Sequence, residues 1–418
     1  MPLSSFSPTA PHGLDTLRTY GEGFAGRKAE LAALDQAWAE GVRIFVLHAQ
    51  GGAGKTRVVV QWLNQMAADA WRGAGGVFVH SFYSQGSDER RNASSETFFE
   101  AALAYFGHAG PALTDPHEKG RTLARLVAGK RGLLVLDGLE PLQHPPAFDQ
   151  GRLKDPALHA LLSALAAGWV GEAEPHGLCL VTSRQPVVEL ERKASRVVVQ
   201  QPLDRLDPEA GAELLRQLEV AGPEEELRQA SVELRGHAYT LMLLGSYLRD
   251  ATPDHEIRRR AEIPLLQEDA EHNHHARHLF AAYVRHLGEA SPEVAVLRLL
   301  GFFDRPAEER LMTALREADD PELAPLLAPL RNLPDPAWRR VLRRLSELRL
   351  IDVPAGSSPV LDAHPLLRET FAEQVRTDFP AAWQAGHRRL FEVLCATTEP
   401  RPATLPGLQP LYQAVAFS

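Results

Sequence analysis

The sequence predicts an α/β domain built on a parallel sheet, followed by an α-helical domain and a winged-helix domain. Three observations predict it. Short apolar, β-branched runs alternate with longer helical patterns from about residue 42 to residue 200. Strand signals then stop after Leu206. From about residue 290, helical patterns lead into two short apolar runs that flank a turn segment.

The apolar runs are residues 42–48 (VRIFVLH), 77–82 (VFVHSF), 133–136 (LLVL), 178–182 (LCLVT) and 196–200 (RVVVQ). Their hydrophobicity is continuous, as in strands buried on both faces of a parallel sheet. Residues 57–70, 95–106, 117–128 and 157–167 lie between them and read as helices. The alternation specifies a doubly wound α/β layer structure.

Residues 207–288 read as helices, broken near 222–223 and 251–253. Residues 293–303, 308–318 and 337–348 also look helical, and 350–361 (LIDVPAGSSPVL) reads as a hairpin turning at PAGSSP. Helices followed by a hairpin suggest the winged helix. From 380 onward come one helix, a Pro-rich break at 399–406 and a short helical fragment at 408–417. No complete repeat recurs at a period of about 20–50 residues. The expected division is an arm (1–22), an α/β domain (23–205), a helical domain (206–288), a winged helix (289–380) and a C-terminal helix with the start of a helical repeat region (381–418).

The 418-residue chain is too long for one ordinary core. Its 44% hydrophobic and 24% charged residues are those of a soluble globular protein. No apolar run approaches the roughly 20 residues that span a bilayer, and the N-terminus lacks the basic and apolar regions of a secretory signal. Cys179 and Cys395 each lie in an apolar stretch, which points to reduced, buried thiols and a cytoplasmic setting. A net charge of -9 argues against a globally basic nucleic-acid binder.

Chemistry enters at Ala49-Gln50-Gly51-Gly52-Ala53-Gly54-Lys55-Thr56, directly after the first central run and opening the first helix beyond it. This is the phosphate-binding pattern GxxxxGK[ST] with Ala49 in the first glycine's place. Gly51, Gly52 and Gly54 let the backbone turn its N–H groups toward phosphates, with Ala53 and Arg57 beside them, and the helix N-terminus adds a favourable dipole. Lys55 would reach the β- and γ-phosphates of ATP, and the Thr56 hydroxyl would hold Mg²⁺. Such a loop needs an acid on a neighbouring strand. Residues 133–137 (LLVLD) supply it: Asp137 would hold the magnesium through water, and Glu140 could polarise the attacking water. The next run ends in Thr182-Ser183-Arg184. Strand ends on this side of such a sheet face the nucleotide, so Arg184 can sense the γ-phosphate.

The ordered set of Phe24-Ala25-Gly26-Arg27, the phosphate loop, Asp137, Arg184, Gly236-His237-Ala238 and Asp362-Ala363-His364 resembles the STAND-class P-loop NTPases, relatives of NB-ARC and NACHT proteins. The resemblance runs from about residue 23 to the end. It implies that Gly26 and Arg27 line the adenine site, that Gly236 and Ala238 pack against the base, and that His364 contacts the β-phosphate of bound ADP and locks the protein off. It further implies an ATP/ADP switch that oligomerises in the ATP state, reset by slow hydrolysis, in bacterial defence against phage or in stress signalling. Ala238 stands where the family usually has proline, Gly138 replaces a second acid, and Pro365 follows His364 in place of aspartate. Related proteins usually carry an N-terminal effector and a C-terminal sensor of TPR-like repeats. The expectation is that these modules, or partner proteins replacing them, lie outside this chain.

Two further features are expected to be bland. His274 and His278 sit one helical turn apart, but no cysteine or partner motif accompanies them, so a solvated helix start is expected in place of zinc. Arg339, Arg340, Arg343 and Arg344 lie on the third helix of the winged-helix region, where a DNA reader carries its recognition residues. About 12 Arg against about 15 Asp or Glu in residues 290–380 do not favour phosphate binding, so DNA is not expected as a partner there. Ser84-Gln85-Gly86 and Arg90-Arg91 follow the second run on the nucleotide side and could serve a switch loop or subunit contact.

Overall fold

A computed structural model describes residues 9–17, 23–82, 95–144, 151–168, 176–191, 193, 196–264, 274–353 and 360–398. The chain separates into two compact units, the first comprising 1–19 and 27–204, the second 20–26 and 205–418.

The first unit is built on a six-stranded sheet of β1 (Thr9–His12), β2 (Ile44–His48), β3 (Gly76–Ser81), β4 (Leu133–Asp137), β5 (Leu178–Ser183) and β6 (Val198–Pro202). The spatial order is β1-β3-β4-β5-β2-β6, and every pairing is parallel. Strands β2, β4 and β5 are buried almost throughout, which is why their sequences run apolar without alternation. On one face Ile44, Val46, Phe78, Leu134, Leu136, Cys179 and Val181 pack with buried residues of α3 (Glu96–Tyr105), α4 (Pro116–Gly129) and α5 (Pro156–Ala167). The alternate strand residues Phe45, Leu47, Val79, Val135 and Leu180 are equally buried but lie outside that cluster. So do the buried sides of α1 (Lys28–Ala39) and α2 (Lys55–Ala68), which belong to the other layer.

Two expectations change here. Asp137 ends a strand that is not adjacent to the phosphate-loop strand: β5 lies between β4 and β2, pairing Leu136 with Val181 on one side and Val46 with Val181 on the other. The segment expected as an N-terminal arm contributes the edge strand β1, with His12 opposite Phe78. Four residues, TAPH, carry no apolar run to announce a strand. What fixes them is tertiary: the His12 ring stacks on Phe78 at 4.8 Å, and the Tyr105 hydroxyl donates to Ala10 O at 3.1 Å while accepting from Val77 N at 2.9 Å.

The second unit begins with α7 (Pro208–Gln217), α8 (Glu224–Glu233), α9 (Ala238–Ala251) and α10 (His274–Leu287), following the short α6 (Val188–Glu191) of the first. Then come α11 (Pro292–Leu300), β7 (Ala307–Glu308), α12 (Glu309–Arg316), α13 (Ala324–Leu327), α14 (Asp335–Glu347), β8 (Val360–Leu361), α15 (Pro365–Asp378) and α16 (Pro380–Thr397). Strand β7 pairs antiparallel with β8, and Asp352 pairs antiparallel with Asp362, so the residues flanking the expected hairpin do face each other. The turn itself, residues 354–359, lies outside the described residues, as do 399–418.

Four helix starts, two in each unit, share one chemistry. Asp115, Asp155, Asp207 and Ser291 each accept a hydrogen bond from a backbone N–H three residues on, and each is followed by proline at the first helical position. The cap satisfies one of the free N–H groups, and the proline spends none.

Cys179 is buried as expected, but Cys395 is exposed. On α16 the buried stripe is Ala382, Ala385, Gly386, Leu390 and Leu394, and Cys395 falls one residue off it. Among the described residues, no helix is long and apolar enough to cross a membrane.

Candidate nucleotide site

The loop after β2 is tied at its start to the end of β5, Ala49 N donating to Ser183 O at 3.1 Å. Gly52 and Gly54 take φ of +80° and +96°, conformations that cost a glycine nothing, and Gly54 caps α2. Lys55 opens that helix and bends back across the loop, donating to Ala49 O at 2.6 Å and Gln50 O at 3.2 Å. Its ammonium is buried, and that burial holds its pKa below the ordinary lysine value. The Arg184 charge pushes the same way, while Glu140 and Asp137 oppose.

Asp137 is 1% exposed. Its Oδ1 accepts from the hydroxyls of Thr56 at 2.9 Å and Thr182 at 2.7 Å, and Oδ2 faces Ser81 Oγ at 3.4 Å. Burial raises its pKa, against the two threonine hydrogen bonds. Glu140 opens a tight turn three residues on, and both its carboxylate oxygens are buried without a hydrogen-bond partner among the described residues. Arg184 lies over the loop: a Cβ placed on Gly51 would come within 3.9 Å of its Nε and Nη2. Arg57 is half-buried in the first turn of α2.

The first unit therefore brings Lys55, Thr56, Asp137, Glu140 and Arg184 together beside the glycine loop. Two hard oxygen donors joined by a hydrogen bond, Thr56 and Asp137, are a donor set that suits Mg²⁺. A buried cation suits phosphate oxygens. Orphaned carboxylate oxygens are costly to bury unless a bound group meets them.

Arg27, expected to line the adenine site, is held within the first unit. Its guanidinium is committed to the protein, donating to Glu30 Oε1 at 2.8 Å, Asp204 O at 2.6 Å and Ala53 O at 3.1 Å. It fastens the glycine loop to the last residue of the first unit, from a backbone with φ of +63°.

The remaining expected residues belong to the second unit. Gly26 and Gly236 both pack against Leu206: a Cβ on Gly26 would lie 3.7 Å from Leu206 Cδ2, and one on Gly236 only 2.0 Å from Leu206 O. Ala238 is half-buried at the start of α9, behind the capping His237. His364 caps α15, its Nδ1 accepting from Leu366 N at 3.2 Å, and its ring stacks on Tyr239. Next to it, Arg368 and Asp362 form a buried ion pair at 2.7 Å.

Sequence reading missed Thr182, Ser81 and Tyr239 as partners. Thr182 carried a signal, the polar end of an apolar strand. Ser84-Gln85-Gly86 and Arg90-Arg91 lie outside the described residues. Among the described residues, no cluster of His, Cys, Asp and Glu is arranged to hold a metal by itself.

No protein-family model matches this chain. No curated protein matches it either. Solved structures do. The signal transduction ATPase with numerous domains and a tetratricopeptide repeat sensor from Pyrococcus horikoshii superimposes over 96% of this chain with a TM-score of 0.59 at 18% identity. The chain spans about half that protein's length, 49%. A Walker-type ATPase of Pyrococcus abyssi covers 86% of this chain, and 99% of its own, with a TM-score of 0.35 at 16% identity. The ORC2 protein of Aeropyrum pernix covers 87%, and 97% of its own, with a TM-score of 0.35 at 14% identity. Over 96% of its length, this chain shares its fold with about half of that STAND ATPase.

Proposed function

We propose that this chain is an ATP/ADP-dependent switch whose nucleotide site is the glycine loop of the first unit. The observation that carries the reading is the gathering of Lys55, Thr56, Asp137, Glu140 and Arg184 at the C-terminal ends of parallel strands. The loop N–H groups and Lys55 bind the phosphates. The Thr56 hydroxyl and the Asp137 carboxylate hold Mg²⁺, which neutralises charge on the β- and γ-phosphates. Glu140 accepts a proton from the attacking water. Arg184 bonds the γ-phosphate and so distinguishes ATP from ADP, the differential affinity a two-state switch needs. Hydrolysis of ATP to ADP and phosphate resets it.

The finer reading follows the resemblance. ADP holds a closed monomer through Gly26, Gly236, Ala238 and His364, and exchange for ATP exposes surfaces for self-association. Effector and sensor modules, or partner proteins, then read the state in a bacterial defence or stress response. The division at 23–205, 206–288, 289–380 and 381–418 is part of this proposal. The order α11, β7, α12, α14, Asp352, β8, with β8 paired to β7 and Asp362 to Asp352, supports the winged helix.

The test is the nucleotide that copurifies, released by denaturation and separated by anion exchange. Stoichiometric ADP, absent from Lys55→Ala and released faster from His364→Ala, is the expected result. An empty site that takes up ATP freely would overturn the ADP lock.

A second reading, nucleotide-controlled DNA binding, has one observation in its favour. Arg339, Arg340 and Arg343 are exposed along α14, whereas Arg344 lies 3.6 Å from Asp250. Salt-dependent retention of duplex DNA, lost on replacing the three arginines by serine, would establish it. Absence of retention at low salt would remove it.

A further inference from the structure

Glu140 and Arg184 sit on different segments, yet both must address one phosphate group, and groups that act together need a shared rigid support. The Glu140 turn is fastened to the end of β5 on both sides. Before it, Gly138 N donates to Thr182 Oγ1 at 2.8 Å and Leu139 N to Thr182 O at 2.9 Å. After it stands Gln143, 2% exposed, whose side chain meets two segments of chain at once. Its Oε1 accepts from Ser183 Oγ, and its Nε2 donates to Gly151 O at 2.9 Å and Pro186 O at 3.2 Å. Its backbone N donates to Glu140 O at 3.1 Å. Ser183 Oγ in turn accepts from Gln185 N at 3.2 Å. Arg184 is thus bracketed by Ser183 on one side and Gln185-Pro186 on the other, and every one of these three residues leads back to Gln143.

Other side chains fare worse as the fastener. A leucine of similar length would take the side-chain donor from the buried Gly151 carbonyl and from the half-buried Pro186 carbonyl. The amide's combination of one acceptor and two donors is used in full apart from a single lone pair.

We propose that Gln143 is a positioning residue that sets the distance between the Glu140 carboxylate and the Arg184 guanidinium, and thereby the site's preference for a nucleotide bearing a γ-phosphate. The inference rests on the nucleotide-switch reading above. The side-chain bonds of Gln143 go to Ser183, Gly151 and Pro186, and among the described residues none joins it to the glycine loop or to Asp137. Loss of those bonds should therefore spare ADP binding.

The experiment uses the full chain in four forms: unsubstituted, Gln143→Leu, Ser183→Ala and Arg184→Ala. Equilibrium titrations with ADP and with the slowly hydrolysed analogue ATPγS are combined with single-turnover hydrolysis of ATP. Gln143→Leu should keep its ADP affinity within about twofold. It should lose hydrolysis by ~10- to 100-fold, the cost of a sub-ångström to ångström displacement of catalytic groups, and lower the ATPγS preference toward that of Arg184→Ala. Ser183→Ala removes the donor to Gln143 and the acceptor for Gln185 N, and should shift both in the same direction. It carries the test where Gln143→Leu does not fold. Equal loss of ADP and ATPγS affinity, or unchanged hydrolysis and preference, would overturn the positioning role. If Arg184→Ala leaves the preference intact, or the unsubstituted chain binds neither nucleotide, the reading of the site falls, and this inference with it. If Arg184→Ala lowers the preference and the Gln143 and Ser183 variants do not, the positioning role alone falls.

Discussion

The imidazole of His364 lies flat on the phenol ring of Tyr239, with centroids 3.8 Å apart and planes 19° from parallel. Both side chains are buried, at 8% and 5% exposure, and the Tyr239 hydroxyl has no hydrogen-bond partner among the described residues. Burial raises the pKa of that phenol well past its ordinary value, so it stays neutral. The ring and the hydroxyl therefore contribute in opposite directions. Tyr239→Phe keeps the stack and removes a buried orphan, and should be neutral or stabilising by up to about 1 kcal/mol. Tyr239→Leu loses the stack and leaves a void, and should cost roughly 1–3 kcal/mol. Denaturant unfolding of the two variants beside the parent chain decides the matter; a Phe variant less stable than the Leu variant would contradict it.

Gly236 makes the second prediction. It has φ of +60°, and a Cβ there would lie 2.0 Å from the carbonyl oxygen of Leu206, whose N–H donates back to Gly236 O at 3.0 Å. Gly236→Ala must therefore take up left-handed strain and push two backbones apart, at a cost of roughly 2–4 kcal/mol. Gly41 offers the control. Its φ is +74° but nothing lies within 4 Å of its Cβ position, so Gly41→Ala should cost only about 1 kcal/mol. Similar melting-temperature losses for the two would show that backbone conformation alone, and not the Leu206 contact, governs Gly236.

What the sequence made legible follows from how local each signal is. The glycine loop is contiguous, and so are the apolar strands on either side of it, so their place in the fold could be read from one stretch of chain. The hydrogen bond from Thr182 to Asp137 could not. It exists because β5 lies between β4 and β2, a strand order that no single segment encodes. Strand β1 was invisible for the same reason: its four residues are held by Phe78 and Tyr105, and not by their own propensity. Arg27 was read as part of a base-binding segment from its neighbours in the chain. Beside the nearby Glu30, its partners Ala53 and Asp204 are remote in sequence and present only carbonyl oxygens, which leave no trace in residue identity.

That tether is itself testable. Arg27 is buried, and its three acceptors are spread so that one planar fork reaches all of them. Lysine carries a single ammonium and cannot reproduce the fork. Arg27→Met should destabilise the chain by roughly 3 kcal/mol, because the nearly buried Glu30 carboxylate loses its partner. Adding Glu30→Gln should return part of the loss, a coupling that a double-mutant cycle measures directly. Strict additivity of the two substitutions would show that the Asp204 and Ala53 carbonyls, not the ion pair, account for the role of Arg27.

The last prediction concerns the charge on Asp137. Burial holds this carboxyl above its ordinary range, and the hydrogen bonds from Thr182 and Thr56 offset only part of that. A carboxyl whose folded pKa exceeds its unfolded one contributes most below the unfolded value, near pH 4, and that contribution is lost as pH rises through the folded value. At neutral pH the nucleotide-free fold therefore bears the cost of an ionised buried acid. Asparagine fits the same place: its oxygen can accept from both threonines as Oδ1 does, and its amide can donate to Ser81 Oγ where Oδ2 now stands. Lys55 keeps Glu140, the carboxylate that favours its charged form most. Without nucleotide, Asp137→Asn should be more stable than the parent by about 1–2 kcal/mol at pH 8, with the advantage shrinking as pH falls toward the ordinary carboxylate range. With Mg²⁺ and ATP the order should reverse, since only the aspartate gains a metal to balance its charge and ligand binding adds RT ln(1 + [L]/Kd) to the parent. Thermal denaturation across this pH range, with and without Mg-ATP, reads both effects. An asparagine variant that is less stable than the parent in the nucleotide-free state at pH 8 would mean that the threonine bonds already compensate for the burial of Asp137.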